Sequence, residues 1–500
     1  EPGSAFEWWH KQRAVEAAGM KYIHAIEAYI TWTLDEKVRD NFHCVLISKN
    51  YDGVIELNRM VSRSFNRNDN HFYYVPRIYI GDLINASDNI IITSACVGGV
   101  FGKGSEDQQK MFLDFMSANK DRCFLEIGHH FDRKQVDYNK KIFEYSQETG
   151  IRLIAGTDTH VLNELHERGR HIMQISKNIH FDGEENWDLK FHDLPGLVKE
   201  YELQRSLPEE VYLEAIANTN VMADMVEPFD MDRGTKYPHI YDKPEETFRA
   251  KVYSSMNTHP VASERYSTPE KKKILQDRIE EELAVYEKTK SIDFMLLQTY
   301  MREWEKDHGI RCGPGRGSVS GSMVAYLLGI TKMDSIKFGL NFFRFMNPDR
   351  VTNADIDTDY AGKDRDAVKL FLLKDKMNLP QIRTSEIITF NTVALKGAIR
   401  DVARALQIPL TEVSEITKQC ADDTIPDNLR KKYKELFEYV DIVNGTIVSI
   451  GTHPSGVLVS DLPIDELVGM CSVSSSDYPV SMLNMKELDD LMYVKLDILG

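Results

Sequence analysis

The segment between Gly313 and Tyr360 constrains this chain more than any other. A glycine-rich turn, G-P-G-R-G-S-V-S-G-S, is followed about forty residues later by A-D-I-D-T-D-Y. Asp355, Asp357 and Asp359 stand at every second position, so on a β-strand they share one face with Cα atoms roughly 7 Å apart. Taken alone, such a run reads as a solvated strand or a calcium loop. Its apolar flanks, the preceding glycine turn and the further motifs described below favour a site at which two carboxylates bridge two divalent cations, the arrangement that nucleotidyl transfer to a nucleoside triphosphate needs.

The turn runs into S-V-S-G-S-M-V-A-Y-L-L-G, which reads as a helix with apolar positions 323, 324, 327 and 328 and an exit at Gly329. Small residues at its entry let phosphate oxygens approach the first-turn N–H groups. Arg316, Gly317 and Ser318 are the candidate phosphate contacts, with Arg316 adding a charge-assisted clamp. The spacing is neither G-x-G-x-x-G nor a P-loop. A plain helix cap is the competing reading for Arg316 and Ser318, and surface ion pairing the competing one for Arg344 and Arg350.

Four motifs, in order and spacing, resemble the C-family replicative DNA polymerases, the group of the bacterial DNA polymerase III alpha subunit and its phage-borne relatives. They are G-P-G-R-G-S-V-S-G-S-M-V-A-Y-L-L-G-I-T from Gly313, F-R-F-M-N-P-D-R from Phe343 with A-D-I-D-T-D-Y, I-I-T-F-N-T-V-A-L-K-G-A-I-R-D-V from Ile387, and Y-V-K-L-D-I-L-G from Tyr493. The resemblance implies that Asp355, Asp357 and Asp497 hold the catalytic metals. Alternation in the last motif independently puts Tyr493, Lys495 and Asp497 on one face and Val494, Leu496 and Ile498 on the other. Magnesium is the implied ion, with manganese also compatible with hard carboxylate donors. Lys495 would neutralise charge at the α-phosphate or primer terminus, and Arg344 and Arg350 join the nucleotide-binding set. The implied activity is template-dependent addition of deoxynucleotides to a primer 3′-hydroxyl, with primer-template DNA and deoxynucleoside triphosphates as ligands.

The 500 residues carry 61 basic and 78 acidic side chains, a net charge of −17, where DNA binding usually leaves a basic footprint. Between Arg383 and Lys434, however, nine Lys or Arg stand against seven Asp or Glu. Lys396, Arg400 and Arg404 recur at i, i+4 and i+8, one helical stripe suited to phosphates or, equally, a solvated face. No run of eighteen apolar residues and no signal-peptide pattern is present, which suggests a cytoplasmic protein with no membrane partner. Six scattered cysteines without C-x-x-C spacing suggest reduced thiols.

Residues 1–225 alternate strand-like runs, from Lys21, His43, Asn89 and Ile151, with helical patterns, as an α/β barrel does. Here the resemblance is to the polymerase-and-histidinol-phosphatase (PHP) domain. Glu27, His43, Cys96, Asp158 and His160 match its metal-ligand positions, implying Zn2+ or Mn2+; core packing is the competing reading for His43 and Cys96. The family's first His-x-His strand would precede residue 1, so the chain is expected to be part of a longer product with an incomplete PHP site.

The expected architecture is multi-domain α/β: a partial PHP-type barrel (1–225), a palm of the nucleotidyltransferase (polymerase beta-like) kind with a mixed sheet (226–386, resuming at 465–500), and a helical thumb inserted between (387–464). Pro269–Lys290 reads as a scaffold helix with Ile274, Ile279, Leu283 and Tyr286 inward, and G-T-H-P-S-G-V-L-V-S from Gly451 reads as a loop. Fingers, clamp-binding and further nucleic-acid modules would follow Gly500, bringing a sliding clamp and other replisome subunits as partners. Two other functions stay open: phosphoester hydrolysis or 3′-5′ exonuclease action at the PHP-like site, and a non-catalytic replisome protein.

Overall fold

A computed structural model describes residues 3–180, 187–349, 355–420 and 424–500. Fourteen strands are described. They are β1 Ala25–Thr31, β2 Phe42–Ser48, β3 Phe72–Tyr73, β4 Val75–Pro76, β5 Ile78–Tyr79, β6 Ile90–Thr93, β7 Cys123–Gly128, β8 Leu153–Gly156, β9 Thr358–Asp359, β10 Arg383–Thr392, β11 Ile447–Ser460, β12 Met470–Cys471, β13 Val480–Asn484 and β14 Val494–Leu499. Two six-stranded mixed sheets result, ordered β5-β1-β2-β6-β7-β8 and β12-β13-β10-β11-β14-β9, while β3 and β4 form a ribbon. The chain is therefore mixed α/β, and all four strand-like runs expected before residue 160 are strands.

Compactness divides the chain into two units, one of residues 1–5, 15–229 and 390–451, the other of 6–14, 230–389 and 452–500. In the first, Ile47, Ile91, Phe124 and Ile154 pack with Val226 in the core of the first sheet. A second core joins Ile172 of the helix Glu164–Lys177 to Leu395, Ala398, Ile399 and Val402 of the helix Leu395–Ala405 and to Phe437 and Val440. In the second unit one large core gathers Phe248, Leu275, Ile279, Leu283, Tyr286, Val324, Leu327 and Phe342 with Val494, Leu496 and Ile498.

Several elements depart from the sequence expectation. The acidic strand is only Thr358–Asp359, because its pairing with β14 begins at Thr358 opposite Ile498, and Asp355–Asp357 precede it outside any strand. The helix after the glycine turn is broken into a 3-10 turn, Gly317–Gly321, and a short α-helix, Met323–Leu327, restarted by the Ser322 side chain, which accepts from the Ala325 N–H. Gly329 follows that helix at φ +78, as an exit residue should. The expected loop from Gly451 is the second half of β11, whose Gly456 lies opposite Asp497. In the helix Pro269–Lys288 the inward residue is Leu275, with Ile274 exposed, since 275, 279, 283 and 286 keep the helical period.

Candidate metal and nucleotide site

β14 builds one wall. Its burial alternates as the sequence demands, Val494, Leu496 and Ile498 inward and Lys495 and Asp497 toward the other face, although Tyr493 is also buried. β11 pairs antiparallel on one side and β9 parallel on the other, which brings the end of the acidic segment beside Asp497. Carboxylate oxygens of Asp355, Asp357 and Asp497 lie within 4.8 Å of one another. The carboxyl of Asp355 is held above its ordinary range by burial and by the charges of Asp357 and Asp497, with Lys495 pulling the other way. Three hard oxygen donors that repel one another suit divalent cations. The Ser455 hydroxyl donates to Asp497 Oδ1 at 3.1 Å and orients it; that role was hidden in a block whose composition reads as loop.

The glycine turn is tied to the same acids. Cys312 bridges Tyr360 and the Gly313 N–H donates to the Asp359 carbonyl at 2.8 Å. Gly315 has φ +111, and a Cβ there would lie 2.4 Å from the Thr331 hydroxyl, so only glycine fits. Arg316 Nη1 donates to Asp359 Oδ1 at 3.2 Å, with Nε 3.9 Å from Asp357. Gly317 and Ser318 are exposed on the 3-10 turn. Lys495 pairs with Asp489 at 2.8 Å.

The first turn of Met323–Leu327 is not open to phosphate. Glu282, fully buried, accepts from the N–H groups of Met323 (2.8 Å) and Val324 (3.0 Å) and from the Ser322 hydroxyl (2.7 Å), and pairs with Arg278 at 2.7 Å. Arg316 and Ser318, by contrast, are exposed on the preceding turn. Beneath the acidic strand, the Arg302 guanidinium donates to the Tyr360 hydroxyl (2.7 Å), which donates to Glu305 (2.6 Å). Arg344 lines a cleft of about 490 Å³ with Lys288, Lys290 and Pro348, whose lining includes none of the three acids. Arg350 lies outside the described residues. Lys396, Arg400 and Arg404 are all exposed on one helix, as the stripe requires.

The PHP-like residues fall into two groups. Glu27 on β1 and His43 on β2 meet at 2.6 Å, and Cys96 Sγ lies 3.5 Å from the same imidazole nitrogen. Burial depresses the His43 pKa, but hydrogen bonds to Cys96 and Glu27 outweigh it and raise it to about 9. Asp158, at φ +47, lies 3.7 Å from both His160 and His130. Glu126 went unnoticed in the sequence. Burial, together with Asp158 and Glu27, raises its pKa to about 7 against a hydrogen bond from Thr93.

The mixed α/β fold with two six-stranded sheets agrees with a PHP domain followed by a polymerase-type domain. Residues 3–130 match the PHP domain, and residues 253–500 match the bacterial DNA polymerase III alpha NTPase domain. DNA polymerase III subunit alpha of Borreliella burgdorferi is 29% identical over 98% of this chain and 44% of its own length. The proteins of the same name from Aquifex aeolicus (28%, covering 100% and 48%) and Thermus aquaticus (26%, covering 99% and 47%) are similar throughout. The chain is similar to these subunits over nearly its whole length and spans less than half of theirs. Among the described residues no helix is long and apolar enough to cross a membrane.

Proposed function

We propose that this chain carries the nucleotidyl-transfer centre of a DNA-directed DNA polymerase acting in replication. The observation that carries the reading is the convergence of Asp355, Asp357 and Asp497 within 4.8 Å beside a glycine turn bearing Arg316. These acids would hold Mg2+, or Mn2+, whose chemistry is to lower the pKa of a primer hydroxyl and to neutralise a triphosphate. Ser455 fixes the Asp497 rotamer. Arg316, now paired with Asp359, can exchange that partner for a phosphate, with Gly317 and Ser318 beside it. Lys495 lowers the cost of gathering three negative charges, and Arg344 and Arg350 extend the nucleotide-binding set.

On the same reading the chain comprises a PHP-type barrel (1–225), a palm (226–386 and 465–500) and a helical thumb (387–464) whose Lys396, Arg400 and Arg404 contact the backbone of primer-template DNA. Glu27, His43, Cys96, Asp158 and His160 would hold Zn2+ or Mn2+. A sliding clamp and other replisome subunits are partners of the whole protein. Primer extension on a recessed duplex, with magnesium and four deoxynucleotides, tests the centre. Asp357→Asn removes a ligand without adding bulk and should lower incorporation by at least about two orders of magnitude, together with Mn2+ binding read by electron paramagnetic resonance. Undiminished extension by the variant would overturn the assignment.

A further inference from the structure

A second cluster of metal-ligand side chains lies outside every residue assigned above. His129 follows β7, and Asp188 and His192 lie on a segment further along the chain; ligand atoms of the three lie within 4.8 Å of one another. His192 Nε2 and Asp188 Oδ2 are 2.8 Å apart, and the His129 and His192 rings meet edge to face at 5.4 Å. Backbone hydrogen bonds pin the segment: the N–H groups of His160 and Val161 donate to the Leu189 carbonyl, and Phe191 donates to that of Val161.

His129 distinguishes this cluster from an ordinary ion pair. It is 0% exposed, and neither ring nitrogen makes a hydrogen bond. An imidazole buried with both nitrogens unsatisfied is destabilising unless something binds there. Burial, with the neighbouring His130, lowers its pKa to about 4. Burial works against ionisation of Asp188, but the Lys190 N–H and His192 hold it below the usual carboxylate range. Lys190 Nζ, 3.7 Å from Asp188, competes for that carboxylate, and Glu167 stands 4.0 Å from the same amine and can receive it.

From this geometry we infer that His129, Asp188 and His192 form a zinc site, separate from Glu27, His43 and Cys96, with the fourth position open to water or a ligand. Two imidazoles and one carboxylate are a donor set zinc takes with an exchangeable fourth ligand. Donors of a tetrahedral zinc stand roughly 3.4 Å apart, so Asp188 and His192, now 2.8 Å apart, would release one another as both turn to the metal. This inference rests on none of the polymerase residues.

The test is the zinc content of the full chain after loading with Zn2+ and removal of excess, with His192→Ala, Asp188→Asn and Cys96→Ser compared and their folds checked by circular dichroism. His192→Ala and Asp188→Asn should each lose one equivalent, or bind it at least ~10-fold more weakly, and His192→Ala should lose the same equivalent when introduced into the Cys96→Ser chain. With Co2+ as probe, the difference spectrum between the unaltered chain and His192→Ala should show d–d bands without a sulfur-to-cobalt charge-transfer band. No zinc in the unaltered chain, unchanged zinc in either folded variant at 188 or 192, no further loss when His192→Ala is added to Cys96→Ser, or a thiolate band in that spectrum would each overturn it.

Discussion

Two buried glutamates show what single residues contribute around the acids. Glu282 satisfies the hydroxyl of Ser322 and the N–H groups of Met323 and Val324, opposite Arg278. Removing it strands three donors and a guanidinium, so Glu282→Ala should destabilise this region by roughly 3–5 kcal/mol. Hydrogen exchange at the Met323 and Val324 amides reads the loss directly; protection equal to the unaltered chain would refute it. Glu282→Gln, which keeps one acceptor oxygen, should lose less. Glu487, 4% exposed, accepts from the N–H groups of His10 and Asn484, yet burial raises its pKa to about 7. Because the folded value lies above the unfolded value of about 4.3, its contribution is complete below about pH 4.3 and is lost as pH rises through 7. Local stability at the His10 amide should fall by about 3–4 kcal/mol across that window, and Glu487→Gln should abolish that component. An identical pH profile in the variant would assign the slope elsewhere. Neither glutamate's role was legible in the sequence, where Glu282 is one charge in the run E-E-E-L and its amide partners lie some forty positions on.

Elements were legible where one periodicity dominates. The alternation of Y-V-K-L-D-I-L gave β14 and its polar face, and the helix Leu395–Ala405 follows its apolar spacing with Lys396, Arg400 and Arg404 outward. β11 was illegible because Gly, Pro and Ser favour a loop locally, whereas β10 and β14 on either side supply the pairing that overrides this preference. The acids at 355 and 357 needed no strand to converge, since two residues of β9 suffice to anchor them against β14. For the basic stripe, Lys396→Ala or Arg400→Ala should flatten the log–log salt dependence of duplex binding by about 0.9. Arg404→Ala should change it less, because that guanidinium already donates to the Ser176 carbonyl at 3.1 Å and lies 3.5 Å from Asp401. Unchanged slopes at 396 and 400 would make the stripe a solvated face.

At the scale of the whole molecule, the grouping of residues 390–451 with 15–229 carries a consequence for how the chain can be cut. Residues 387–464 read as a helical insertion, since sequence periodicity shows that a face is apolar but not what covers it. In the structure the core of that segment takes in Ile172, with Leu165 and Met173 packed against it. Lys177 pairs with Asp401 at 3.1 Å, and Gly169 sits so close to Ile442 that a Cβ there would approach within 2.9 Å. A piece beginning at residue 226 lacks all of these. Burying an aliphatic side chain contributes about 1.5–3 kcal/mol, so removing Leu165, Ile172 and Met173 deprives the helices of several kcal/mol, a large share of what holds a domain of that size folded. The piece 226–500 should therefore bind a hydrophobic dye such as ANS well above the level of the whole chain, and its amides between 395 and 443 should exchange faster while those of β14 keep their protection. Dye binding and exchange matching the whole chain would show instead that residues 390–451 hold their fold without the helix Glu164–Lys177.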